Sequence, residues 1–117
     1  MSENIKISDE VIAVVAGIAA TSVKGVAGMT GSIANGIAEL LGKKSLAKGV
    51  KVSRGDEFIS LGLGIVVEYG SKIPDVAADV QQCVKEEVES MTGLDVAAVD
   101  ISVDGVKVPA EKEEVKE

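Results

Sequence analysis

Histidine is missing altogether, cysteine occurs once, proline twice, and Phe58 and Tyr69 are the only aromatic rings in 117 residues. Without histidine the commonest general base and the commonest zinc ligand are gone, so serine–histidine and cysteine–histidine catalysis are excluded. The lone Cys83 can form neither an internal disulfide nor a thiolate metal cluster, which suits a reducing compartment and points to the cytoplasm. With so few rings, a core has to be assembled from Val, Ile, Leu and Ala. Positive charge is scarce too: 12 Lys and Arg against 19 Asp and Glu leave a net −7. That balance opposes non-specific attraction to nucleic acid and to anionic lipid. No apolar run is long enough to span a bilayer, Val11–Ala20 being far too short, and the opening MSENIKISDE lacks the basic segment of a secretory signal. Neither nucleic-acid binding nor direct membrane insertion is expected.

What is present is organised around Glu57–Tyr69, EFISLGLGIVVEY. Its odd positions, Ile59 through Tyr69, are all apolar, while its even positions are mixed and small, so period-two alternation predicts a central strand with one core face. Ahead of it, Ile5 and Ile7 flank Lys6 in a short alternating strand, and Ser8 is placed to N-cap a helix opening on Asp9 and Glu10. The apolar face of that helix is expected at Val11, Val14, Val15, Ile18, Ala19 and Ser22, thickened by Ala13, Ala16 and Ala20. Gly25 ends it, and Val26–Met29 forms a brief strand. Thr30–Lys48 reads as a marginal amphipathic helix or docked loop, and Gly49–Arg54 as a strand turned back by Gly55-Asp56 into the central one.

Beyond Tyr69, Pro74 suits the first turn of a helix whose stripe is Ile73, Val76, Ala77, Val80, Val84, Val88 and Met91, with Gly93 as its stop. The last strand, about Val96–Val108, changes phase at Asp104-Gly105, as a bulge requires. The expected fold is α+β: a two-layer sandwich in the order β-α-β-β-β-α-β, with two main helices on one face of a mixed sheet. Residues 1–109 are expected to form a single domain, and 110–117 a disordered charged tail.

Motifs that could carry chemistry fail on context. Gly36, Gly42, Lys43, Lys44 and Ser45 have neither the spacing nor the loop of a phosphate site, and Gly62-Leu63-Gly64 lies within a strand rather than opening a helix. Gly25-Val26-Ala27-Gly28 ends a helix better than it clamps RNA. Asp75 and Asp79 stand at the end of a helix where the dipole favours acids without any catalytic role. Arg54-Gly55-Asp56 needs only to turn, and Cys83 reads as a buried or half-buried thiol. No catalytic residue, cofactor or metal is expected. Two surfaces remain as candidates. One is the open sheet face at Phe58, Ser60, Gly62, Gly64 and Val66, where the glycines either admit another backbone or mark a twist or bulge. On the first alternative, Gly64→Lys should disrupt assembly while leaving the fold intact. The other is the middle segment, through Ile33, Ile37, Leu40, Leu41, Lys43 and Lys44, whose apolar face and basic end suit a partner or a membrane surface.

The stretches ISDEVIAVVAGIAATSVKGVAGM at 7–29, KGVKV at 48–52 and IVVEYGSKIPDVAADVQQCVKEEVESMTGLDVAAVDISVDGV at 65–106 resemble the bacterial alkaline-shock and general-stress family of envelope stress response proteins. The resemblance implies a non-enzymatic cytoplasmic protein supporting envelope homeostasis. It would act as an adaptor or self-associating scaffold, held at the inner membrane face through a membrane-anchored protein partner. Other members resembling this chain suggest an alternative, a cytosolic regulator that binds an enzyme of fatty-acid or lipid synthesis.

Overall fold

A computed structural model describes residues 5–30 and 47–108. Helix α1 spans Asp9–Thr21, and the Ser8 hydroxyl accepts the Val11 N–H at 3.2 Å, satisfying one of the donors that every helix start leaves free. Strands β1 (Val26–Met29), β2 (Val50–Arg54) and β3 (Phe58–Glu68) follow, then helix α2 (Ile73–Thr92) and strand β4 (Asp95–Lys107). Pro74 lies in the first turn of α2, and Gly93 closes the helix in the left-handed conformation with φ 76°.

The sheet is built on β3. One of its edges pairs with β4, in parallel, along its whole length. The other edge is shared end to end by two antiparallel strands, β2 against Ile59–Leu63 and β1 against Ile65–Val67. Gly64 marks the handover, donating its N–H to the Gly49 carbonyl and accepting the Thr30 N–H, both at 2.9 Å. The β4 register slips where Ile65 pairs with Val103 but Val66 with Gly105, so Asp104 is the extra residue of the expected bulge. A second slip sets Ile59 against Val96 and Ser60 against Ala98.

Both helices cover one face, giving the two-layer α+β sandwich. The buried cluster joins Ile59, Leu61, Leu63, Ile65 and Val67 of β3 to Val76, Val80, Val84 and Val88 of α2 and to Ile12, Val15, Ala16, Ala19 and Ala20 of α1. Four-residue spacing keeps the α2 valines on one face over a helix about 30 Å long.

Three expectations are corrected. Residues 5–8 form no strand. Both edges of β3 are already occupied, and the Ile7 carbonyl instead accepts Arg54 Nη2 at 2.6 Å. The core face of α1 is centred on Ile12, Val15, Ala16 and Ala19, whereas Val11 and Ile18 are each 50% exposed. A helix that is apolar almost all round has no periodicity to choose a face, and its small residues are the ones that let α2 and the sheet approach closely. Tyr69, placed with the core by alternation, is 66% exposed, because β3 ends at Glu68 and the chain turns at Gly70 with φ 97°.

Candidate interaction surfaces

The open face of the sheet carries the even positions of β3. Phe58 is 47% exposed, and Ser60, Gly62, Gly64 and Val66 are half-buried with no helix over them. The two glycines differ. A Cβ at Gly62 would meet nothing within 4 Å, so the face there is bare backbone. A Cβ at Gly64 would lie 2.5 Å from Asp104 Oδ2 and 2.6 Å from Thr30 Oγ1. Gly64 therefore leaves room for a bridge that crosses β3, in which the Thr30 hydroxyl donates to Asp104 Oδ2 at 2.7 Å and the Ser102 hydroxyl donates to Oδ1. These two hydrogen bonds lower the Asp104 carboxyl below its ordinary value, that from Ser102 having the larger effect. Gly64→Lys would collide with this bridge, so Gly62 is the position where a side chain can be added without disturbing a neighbour.

Around this strip a shallow hollow is lined by Thr30, Gly49, Lys51, Gly62, Asp100 and Ser102, among others. Ile33, Ile37, Leu40, Leu41, Lys43 and Lys44 lie outside the described residues, as do residues 110–117. The structure does place Thr30 and Gly49, close to either end of the 31–46 stretch, side by side on the same edge of Gly64 through the paired backbone bonds above. The chain on both sides of the middle segment thus reaches the sheet face at the glycine strip. Proximity of these two regions was not signalled by any local pattern.

A second apolar surface was missed, because its residues were assigned to the core. Val11, Val14 and Ile18 of α1 line an open groove with Met91 of α2, which is 63% exposed, and Glu10 and Glu87 flank it. Other sequence candidates have structural roles or none. Cys83 is half-buried where the helices meet, its thiol 3.5 Å from the Ala19 carbonyl, and Asp75 and Asp79 are exposed on α2. Arg54 pairs with Asp9 at 2.7 Å, pinning the hairpin to the start of α1 through an exposed contact. Among the described residues no cluster of three or more His, Cys, Asp or Glu could hold a metal ion, and no helix is long and apolar enough to cross a membrane.

Also missed was a polar row on α2. Glu89 accepts from Lys85 Nζ at 2.8 Å and from the Val96 N–H at 3.0 Å, and Lys85 Nζ also donates to the Val96 carbonyl at 3.2 Å. Gln81 Nε2 donates to the Val99 carbonyl at 2.8 Å. The four-residue spacing was visible in the sequence, but its use depends on β4 lying alongside. The Lys85 hydrogen bond, reinforced by the Val96 N–H, lowers the Glu89 carboxyl below its ordinary value.

Glu89 and Asp104 thus hold fewer protons folded than unfolded in the acid range, and there stability rises with pH. Their contribution is complete above the ordinary carboxylate values and is lost as pH falls through the lowered folded ones. Urea midpoints measured from about pH 3 to about pH 6 should climb less steeply in the Glu89→Gln, Asp104→Asn double variant. Identical slopes would remove both carboxylates from the acid response.

A profile of the alkaline shock protein 23 family, described as having a cell envelope-related function, matches residues 1–108. The chain belongs to this alkaline-shock protein family. The uncharacterised family relative YqhY of Bacillus subtilis (strain 168) is 40% identical over 112 residues, covering 96% of this chain and 83% of its own. YloU of the same organism is 44% identical over 106 residues, covering 89% and 88%. A Streptococcus pyogenes protein named stress response regulator gls24 homolog is 34% identical over 109 residues, with 92% of this chain and 61% of that protein covered. The expected family resemblance is borne out. Among solved structures, the MamM CTD in a copper form superposes with TM-score 0.54 over 86% of this chain and all of the other, at 14% identity, and so shares the fold.

Proposed function

We propose that this alkaline-shock family chain is a non-enzymatic stress-response protein that supports the cell envelope as an adaptor or self-associating scaffold beneath the membrane. Its open sheet face is the surface that takes the protein partner. The observation that carries this reading is the strip at Gly62, where the central strand presents bare backbone between exposed Phe58 and half-buried Val66. Missing side chains let a partner approach the sheet closely, and an exposed ring beside them provides an anchor of the kind that concentrates binding energy. The family's cell envelope-related description and the stress-regulator name of a relative supply the cellular setting. No described helix could span a bilayer, so attachment through an anchored partner is the route that fits.

In-cell crosslinking with quantitative mass spectrometry tests this, comparing wild type with Phe58→Asp and Gly62→Lys. Both changes lie on the open face and should leave the circular dichroism spectrum intact. Recovery of an envelope-anchored protein should fall about tenfold or more, the loss expected when a central contact is removed. Undiminished recovery from both folded variants would move docking away from this face. Capture of a lipid-synthesis enzyme with no envelope protein would replace the adaptor reading with the metabolic one.

A further inference from the structure

The outer edge of β4 is protected over only half its length. Val96 has both its N–H and its carbonyl taken by Glu89 and Lys85, and the Val99 carbonyl is taken by Gln81. The same row of α2 continues at four-residue steps to Ala77 and Ile73, which carry no hydrogen-bonding group. On the inner side, the Lys107 carbonyl accepts the Tyr69 N–H at 3.0 Å, which fixes the alternation at the far end of the strand. Counting back by twos through the bulge at Asp104, the peptide groups of Ile101, Val103 and Val106 face outward. Among the described residues nothing pairs with them across this edge. Their side chains lie on the helix-bearing face of the sheet, half-buried at Ile101 and Val103 and 45% exposed at Val106. A long unpaired strand edge of this kind is a template for another strand.

We propose that this edge pairs antiparallel with the same edge of a second copy about a two-fold axis at Val103. The occupant follows from charge and register. With the bulged Asp104 set aside, the axis places Ile101 opposite Val106 of the second copy and Asp100 opposite its Lys107, each occurring twice by symmetry. On the same count, shifting the axis to Ser102 would set Asp100 against Gly105 and Lys107 against Ala98, forfeiting both opposite-charge pairs, so the sequence favours the Val103 register. Asp104 does not obstruct the edge, since its carboxylate is held over the open face by Thr30 and Ser102. The contact joins two sheets into one continuous sheet and sets the two open faces side by side. It rests on the scaffold reading only in requiring a second copy.

The full chain, purified and kept reduced, is examined by sedimentation equilibrium at low salt, so the outcome is independent of partner capture in cells. Wild type should dimerise. Val103→Pro removes an outward N–H that the inner ladder does not use, and should raise the dissociation constant at least about tenfold. Because proline could disturb the strand itself, Asp100→Lys provides a second variant. It sets like charges opposite each other twice, weakening the dimer about tenfold, while Asp100→Lys combined with Lys107→Asp restores it. A wild type that stays monomeric at high concentration, a single reversal without effect, or a double swap that fails to restore association would each overturn the proposal.

Discussion

Ile65→Ala should destabilise the fold by about 2–5 kcal/mol, the largest loss expected from removing methyl groups at one site. Ile65 is fully buried on the central strand, with Met29 of β1 as its register partner on one side and Val103 of β4 on the other. It joins the same buried cluster as the valines of α2, so truncation opens a cavity enclosed from above and from both flanks. With so few rings in the chain, no flexible aromatic neighbour is present to swing into the space. A small domain is stable by only about 5–15 kcal/mol, so the substitution should consume a large part of that margin. Urea unfolding should show a lower midpoint with an unchanged slope, while Ile65→Val should cost only about 0.5–1.5 kcal/mol. An alanine variant within about 1 kcal/mol of wild type would mean that the helix layer collapses onto the site and that β3 is not the rigid centre of the core.

The same packing explains what was legible beforehand. The central strand could be read because only one of its faces is covered, and burial then follows every second residue from Ile59 to Val67. Helix α2 could be read from valines spaced by four and from a glycine that stops it. The face of α1 could not, because Val11, Ile12, Val14, Val15 and Ile18 are interchangeable to a periodicity argument, and only the approach of α2 and the sheet sorts them. Ile5-Lys6-Ile7 has the alternation of a strand but no vacant edge of β3 to join. The sharing of one edge by β1 and β2 is non-local, fixed by where the chain returns and written in no single segment. At the candidate surface, Gly62 and Gly64 look equivalent in the sequence. Thr30 and Asp104, which are 74 residues apart, make them different by closing over one and leaving the other open.

Gly25→Ala should destabilise the protein by about 2–6 kcal/mol, although it adds a single carbon. Gly25 joins α1 to β1 at φ 99°, a conformation that side-chain-bearing residues rarely adopt. A Cβ there would also lie 2.7 Å from Cγ2 of buried Val76 and 3.3 Å from Ser71 Oγ. Backbone strain contributes about 1–3 kcal/mol and overpacking a similar amount. The residue cannot move aside freely, because its carbonyl accepts the Glu68 N–H at 2.9 Å and so holds the start of β1 to the end of β3. Gly93 provides the comparison. It has φ 76°, but a Cβ there would meet nothing within 4 Å, so Gly93→Ala should cost only the strain, about 1–2 kcal/mol. The difference between the two alanine variants in urea unfolding measures the collision with Val76, and Gly25→Ala, Val76→Ala should recover part of it as a non-additive gain. Equal losses at Gly25 and Gly93, with strictly additive behaviour in the double variant, would show that α2 shifts to make room and that the contact between the α1–β1 turn and the first turns of α2 is not tightly packed.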